Sequence, residues 1–244
     1  MKERIDKLLA DRGLAESRTK AQALIMAGIV LVDEKRVEKP AEMFEPEAII
    51  RLKGIGPESR YASRGGLKLE AALREFSVDP AGKACIDVGS STGGFTDCLL
   101  QHGAARVVAV DVGTNQLDWR LRTDSRVQVH ENTNARELDQ NIIGTGFDLG
   151  VMDVSFISVK KILPSLVPLI DKTGRIIILI KPQFEVGKGE VGKGGIVREA
   201  EKHRRVIVEV NECAASLGLT NIGVIESPIL GAEGNKEFLA YYER

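Results

Sequence analysis

The chain has 244 residues, 43% hydrophobic and 28% charged, which is enough apolar material for one packed domain and a small appendage. Its formal net charge of -1 excludes a global positive field for nucleic acid, so any such binding must come from a local face. Cys85, Cys98 and Cys213 lack Cys-x-x-Cys spacing and His102, His130 and His203 form no ligand pattern, so neither a disulfide frame nor a metal site is expected. The charged start lacks an apolar signal core, and no run approaches the roughly 20 apolar residues that span a bilayer. Together with the thiols these features point to a reducing, cytoplasmic setting without membrane partners.

Residues 3–28 read as two short helices. Ile5, Leu8 and Leu9 share one face, Gly13 stops the first helix, and Ser17 caps the second. Ala21, Leu24, Ile25 and Gly28 line one face of that second helix. Ile29–Val32 and Arg36-Val37 then flank Asp33-Glu34-Lys35, a hairpin turn. So small a unit buries little surface and reads as an attached recognition module. Its strings Arg4-Ile-Asp-Lys-Leu-Leu, Ser17-Arg18-x-Lys20-Ala21 and Gly28-x-Val30-x-Val32, with the basic turn, resemble an S4 RNA-binding domain. The resemblance implies that Arg4, Arg18, Lys20, Lys35 and Arg36 face RNA phosphates, contacts that give sequence-blind, salt-dependent affinity. The competing reading is a solvated helix face, diluted by Asp11 and Glu16.

Residues 39–61 are rich in Pro, Glu and Gly. Ala48–Leu52 reads as a last strand, and Gly54-Ile-Gly-Pro57 as a linker signal. The expected division is therefore a first domain at 1–52, a linker at 53–60 and a second domain at 61–244. The second domain opens with a helix after Ser63-Arg-Gly-Gly66. Leu69, Leu73 and Phe76 form its buried stripe, and Lys68 lies off it.

The stretch Ala84-Cys-Ile-Asp-Val-Gly-Ser-Ser-Thr-Gly-Gly-Phe-Thr-Asp97 organises the rest: a short apolar strand, a glycine turn and a helix. Phe95-Thr96 after the last glycine rules out a P-loop, and Ser91 breaks the dinucleotide fingerprint. An acidic residue two positions before the first glycine resembles the S-adenosylmethionine turn of Rossmann-like methyltransferases. That resemblance makes Asp87, Gly89, Ser90, Ser91, Thr92, Gly93 and Gly94 cofactor residues, against the alternative of an ordinary βα turn.

From here apolar runs end in polar residues: Asp87, Asp111 after Val107–Val110, Asp153 after Leu149–Met152, and Lys181 after Ile176–Ile180. Helical stretches near 93–102, 116–122, 159–170 and 199–217 separate them. Alternating strands and helices give an α/β fold with a mostly parallel sheet covered on both faces, so these polar ends are expected on one ligand rim. Leu219–Glu226 and Lys236–Tyr242 supply two more strands, with Glu237, Leu239 and Tyr241 on one face of the second. Asp111 matches a carboxylate for a ribose diol, with a strand-end turn Asp as the alternative, and Asn134, with Asn132, is placed for an adenine edge.

Asp153-Val-Ser-Phe156 stands where a methyltransferase meets its acceptor. It is not the Asn/Asp-Pro-Pro-aromatic string of base-amine enzymes, and no cysteine is placed for C5 chemistry. A hydroxyl acceptor remains, which needs in-line placement and removal of a proton. Lys181 is the candidate for that step. Partial burial and Lys68 as a second cation would favour its neutral form, while Asp153 and Glu237 would hold it charged. A plain structural ion-pair cluster is the alternative.

Lys68, Asp153, Lys181 and Glu237 follow the order of the K-D-K-E tetrad of ribose 2′-O-methyltransferases related to FtsJ. The strings Ser63–Leu69, Asp153–Ser158, Lys181–Glu185, Gly192–Arg198 and Gly234–Leu239 are similar to the TlyA (haemolysin A-like) family, which places an S4 domain ahead of such a catalytic domain. The resemblance implies an S-adenosylmethionine-dependent methyltransferase acting on a cytidine 2′-hydroxyl of ribosomal RNA, with the tetrad as catalytic residues. Thr92 departs from the proline common in the wider family. The loop 186–198, with Lys188, Lys193 and Arg198, reads as an RNA clamp or a mobile lid. A cytolysin and a non-catalytic RNA chaperone are the rival functions; the first lacks a secretion signal, a membrane span and an amphipathic pore hairpin.

Overall fold

The structure, a computed structural model, describes residues 2–33, 35–52, 60–187, 189–231 and 234–244. It divides into two compact units, Met1–Arg60 and Tyr61–Arg244. The linker expected at 53–60 falls, but for Arg60, outside the described residues.

In the first unit β1 (Glu3–Arg4) leads directly into α1 (Ile5–Asp11), followed by α2 (Arg18–Met26), β2 (Val30–Val32), β3 (Lys35–Arg36), β4 (Met43–Phe44) and β5 (Ile50–Leu52). Ser17 caps α2 as its sequence position suggests: its Oγ accepts from the Lys20 backbone N–H at 3.2 Å. β2 is the middle strand of an antiparallel trio with β3 and β5, while β1 pairs with β4. Ile5, Leu9, Ala21, Ile25, Val30, Val32, Val37 and Leu52 close a small core between helices and strands.

The second unit is built on a seven-stranded sheet. Its elements are α3 (Gly65–Glu75), β6 (Ala84–Val88), α4 (Gly94–Gln101), β7 (Arg106–Val110), α5 (Trp119–Arg122), β8 (Val127–His130) and α6 (Gln140–Ile143). Then follow β9 (Phe147–Met152), α7 (Leu163–Leu166), β10 (Ile170–Ile180), α8 (Pro182–Glu185), α9 (Ala200–Ser216), β11 (Thr220–Glu226) and β12 (Phe238–Glu243). The strand order is β11-β12-β10-β9-β6-β7-β8, parallel except that β12 runs antiparallel to both its neighbours. The order reverses at β6, between β9 and β7, which is where open α/β sheets bind ligands.

Side-chain alternation explains the two cores. Cys85, Val107, Ala109, Val151, Ile177, Leu179, Leu239 and Tyr241 face the layer of α3 and α4. Ile86, Val108, Met152, Ile178, Ala240 and Tyr242 face the layer of α7 and α9. Both faces are covered, so the buried stretches of the central strands are apolar on both faces, with Asp87 in β6 as the exception. One expected element differs. The helix expected at 159–170 is two 3₁₀ turns around the short α7, and Ile170 already belongs to β10. Pro164 and Pro168 each remove a backbone donor there, which keeps a continuous helix from forming.

Candidate functional site

The α3-facing alternation runs to the last residues of the strands and, except at Asp87 inside β6, past their ends. Asp87, Asp111, Asp153, Lys181 and Glu237 all continue the set that points toward α3 and α4. Lys68 enters from α3 itself. Two adjoining cavities open at this rim and share Gly89, Ser91, Asp153 and Ser155 in their walls. The first, of about 290 Å³, contains Lys68, Asp153, Ser155 and Lys181 with Ser90, Thr92 and Gly94 of the turn. The second, of about 340 Å³, has Asp111 and Gln116 beside Val110, Val112, Ala135, Val154 and Phe156.

The four tetrad residues form two ion pairs. Lys68 Nζ lies 2.5 Å from Glu237 Oε2, and both side chains are buried. Lys181 Nζ lies 2.6 Å from Asp153 Oδ1, outside hydrogen-bond direction, and hydrogen-bonds Ser155 Oγ at 2.8 Å. Lys68 therefore has its own carboxylate, so its charge is offset before it can act on Lys181. Ser155 is a site residue that the tetrad pattern misses; its only signal is a hydroxyl two positions after a strand-end acid. Glu185, also unassigned from sequence, accepts from Ser158 Oγ at 2.6 Å and the Val159 N–H at 2.7 Å, tying α8 to the segment that bears Ser155. Burial pushes its carboxyl up, with the Ser158 and Val159 bonds working against it.

The glycines of the turn serve mainly the protein's own packing. Gly89 has a φ of 87°, and a Cβ there would collide with the Asp153 carbonyl oxygen. Gly93, with a φ of 97°, is covered by Leu117 and Leu121 and lines neither cavity. A Cβ at Gly93 would meet these leucines. Gly94 makes room for Ser63 at the start of α3, and the Ala62 N–H reaches Asp97 of α4 at 2.7 Å. These contacts hold α3, and with it Lys68, over the turn. Ser91 and Phe156 keep positive φ values of 47° and 65°, and both line the second cavity.

Two expected cofactor residues are turned elsewhere. Asp87 is fully buried and lines neither cavity; Thr96 Oγ1 donates to its Oδ2 at 2.6 Å, and among the described residues Oδ1 has no partner. Burial pushes its carboxyl up to about 7; Thr96 opposes this and the nearby Asp153 adds to it. Asp87 therefore braces the turn from beneath instead of reaching the rim. The Asn134 side chain caps the following 3₁₀ turn through the Arg136 N–H at 3.2 Å, while its neighbours Thr133 and Ala135 line the second cavity. Asp111 does line that cavity. The Ser91 N–H at 2.8 Å and the Gly113 N–H at 2.7 Å fix its carboxylate.

The cavities fit S-adenosylmethionine in their chemistry. Apolar walls beside a braced carboxylate suit an adenosine, and a polar cavity with lysines adjoins them. Among the described residues no group of His, Cys, Asp and Glu is placed to hold a metal ion. The 192–198 part of the expected lid is clasped. Asn235 accepts from the Val197 N–H and donates to the Gly195 carbonyl, each at 3.0 Å, and His203 bonds the Val197 carbonyl. Lys193 and Arg198 remain exposed; Lys188 lies outside the described residues.

In the first unit, Arg4 and Arg18 converge on Asp6. Lys20, Lys35 and Arg36 are exposed, with the Arg36 guanidinium lying against Gly28.

Two family models match this chain. The family described as FtsJ-like methyltransferase matches residues 61–244, and the S4 domain matches residues 3–50. The 16S/23S rRNA (cytidine-2′-O)-methyltransferase TlyA of Mycobacterium tuberculosis is 45% identical over 98% of this chain and 88% of its own. Hemolysin A of Brachyspira hyodysenteriae is 40% identical over 98% of this chain and 99% of its own. A solved structure from Streptococcus thermophilus has 44% identity and a TM-score of 0.77, covering 100% of this chain and 88% of that one.

Proposed function

From the premise that the chain belongs to the TlyA family of FtsJ-like methyltransferases, with an S4 domain ahead of the catalytic unit, we propose that it methylates a cytidine 2′-hydroxyl of ribosomal RNA. The observation that supports this best is Lys181, held by Asp153 and Ser155 in the wall of a cavity that adjoins the glycine turn. S-adenosylmethionine, when bound, supplies the electrophilic methyl group. Gly89, Ser90, Ser91, Thr92 and Gly94 would line its path, and Asp111 would accept from its ribose diol. Lys181 Nζ, in its uncharged form, takes the proton of the acceptor hydroxyl; Asp153 and Ser155 set its direction. Glu237 holds Lys68 beside it, so that two lysines share one cavity without two uncompensated charges. The exposed cations of the first unit bind RNA phosphates and set the salt dependence of substrate binding.

The test is incubation with labelled S-adenosylmethionine and separate ribosomal subunits, followed by alkaline hydrolysis of the labelled RNA. A 2′-O-methyl group removes the nucleophile that cleaves the backbone, so the target position should leave one gap in the ladder. A labelled product with an unbroken ladder places the methyl on a base and removes the ribose assignment. Cofactor binding without transfer to either subunit favours the chaperone reading. The name hemolysin is carried by the Brachyspira relative and by the Streptococcus thermophilus structure; among the described residues of this chain, no helix is long and apolar enough to cross a membrane.

A further inference from the structure

Two of the cations assigned to RNA are joined through a buried acid. Asp6, in the first turn of α1, is fully buried. Arg4 forks onto it, with Nε donating to Oδ1 at 3.0 Å and Nη2 to Oδ2 at 2.9 Å. Arg18 Nη2, from the start of α2, donates to the same Oδ2 at 3.1 Å, and Gln22 Nε2 donates to it at 2.9 Å. The side chains of Arg4 and Arg18 are nevertheless 44% and 55% exposed, so their outer edges face water. A guanidinium has five N–H donors, so most of each fork stays available to a ligand.

We propose that Asp6 is a positioning residue for RNA, which couples Arg4 and Arg18 into one two-pronged clamp for a single phosphodiester. The proposal rests on the reading of this unit as the RNA arm. Its first support is geometric. Two guanidiniums would repel and wander; a shared oxygen holds both in one orientation, and Gln22 completes the shell around that oxygen. The second support is charge. Two arginines and one carboxylate leave a single net positive charge, which complements the single negative charge of one phosphodiester. Planar forks suit its two non-bridging oxygens.

A merely structural clasp between α1 and α2 makes different predictions. The full chain is titrated with an rRNA fragment at several salt concentrations, as wild type, Asp6→Asn, Arg4→Ala, Arg18→Ala, the double alanine variant and the triple variant. Asp6→Asn adds one positive charge, so electrostatics alone would tighten binding. The clamp instead predicts binding weaker by about tenfold, within the usual range for coupled groups. In methyl transfer, KM for RNA should rise more than kcat falls. Each single alanine change and the double change should lower the log–log salt slope by about the same single unit, because one phosphate is shared. In the double alanine background Asp6→Asn should weaken RNA affinity no further.

Equal or tighter binding by Asp6→Asn overturns the proposal. So does an equal loss in the double alanine background, which marks a structural clasp. Arg4→Lys keeps the charge but not the fork and guards against misfolding of the Asp6 variant. It should weaken binding about as much as Arg4→Ala, and wild-type affinity for it overturns the clamp. Unchanged affinity and slope in the double alanine variant would instead remove the RNA-arm reading itself.

Discussion

Asp6 in the first unit and Asp87 in the second are equally hidden from water, and their surroundings pull them in opposite directions. The Arg4 fork, helped by Gln22 and Arg18, holds the Asp6 carboxyl well below the usual carboxylate range against the opposing effect of burial. Among the described residues Asp87 takes hydrogen bonds from Thr96 and none at Oδ1, and burial pushes it up to about 7. Neither carboxyl meets water, but Asp6 sits just beneath the surface under half-exposed arginines while Asp87 lies deep in the central sheet, so desolvation and the number of donors together decide the charge. The contrast extends to the cations. The first unit presents arginines, which cannot be deprotonated, to water on a buried acid. The second hides two lysines, which can, against carboxylates beside a cavity. One arrangement suits affinity and the other suits proton transfer.

The sharpest way to break this contrast is at Lys181. Lys181→Ala should lower the transfer rate by about two to four orders of magnitude while leaving RNA and cofactor affinity nearly intact, and Lys181→Arg should not rescue it. A loss confined to RNA affinity would mean that both units work by binding alone. Lys68→Ala and Glu237→Ala should be milder and combine non-additively with Lys181→Ala, as read from single-turnover rates.

Next in size is Gly89→Ala. It drives a Cβ into the Asp153 carbonyl at a positive φ, and should cost about 1–3 kcal/mol in denaturant unfolding. Wild-type stability in that variant would show that the turn can open away from β9.

The two aspartates should give opposite pH slopes. The folded pKa of Asp87 lies above its unfolded value, so the folded state binds the extra proton. Its contribution to stability is largest below the ordinary carboxylate range of about 4, and declines as pH rises toward about 7. The folded pKa of Asp6 lies below its unfolded value, so its contribution is present above about 4 and declines as pH falls through lower values. Melting temperatures across pH should show Asp87→Asn removing the first slope and Asp6→Asn reducing the second. Identical pH profiles for wild type and Asp87→Asn would remove the account of a charge hidden without donors.

The smallest effect belongs to Asn134. Its side chain is committed to a cap, so Asn134→Ala should leave S-adenosylmethionine affinity within about twofold by calorimetry and cost about 1 kcal/mol of stability. A large loss of affinity would restore it to the adenine edge.

Much of this molecule follows from the sequence alone. Strands buried on both faces are largely apolar, so Asp111, Asp153 and Lys181 mark strand ends, and Asp87 a place near one, from the sequence by itself. Glu237 shares the parity of Leu239 and Tyr241, which directs it toward the helix that carries Lys68. Short-range chemistry was legible as well: Ser17 caps α2 because a hydroxyl three residues before a free N–H needs no distant partner. Partners far apart in the chain were decided by tertiary structure. A glycine reads the same whether a cofactor or a leucine fills the space beside it, so only packing assigns Gly93 to Leu117 and Leu121 and Gly89 to the Asp153 carbonyl. The tetrad likewise falls into Lys68–Glu237 and Asp153–Lys181 because the antiparallel β12 delivers Glu237 to α3, and no spacing encodes which of two lysines a carboxylate meets. Asp6 and Asp87 look alike on paper. The donors that separate them arrive from other elements, and a charge in a low-dielectric interior is set by what touches it.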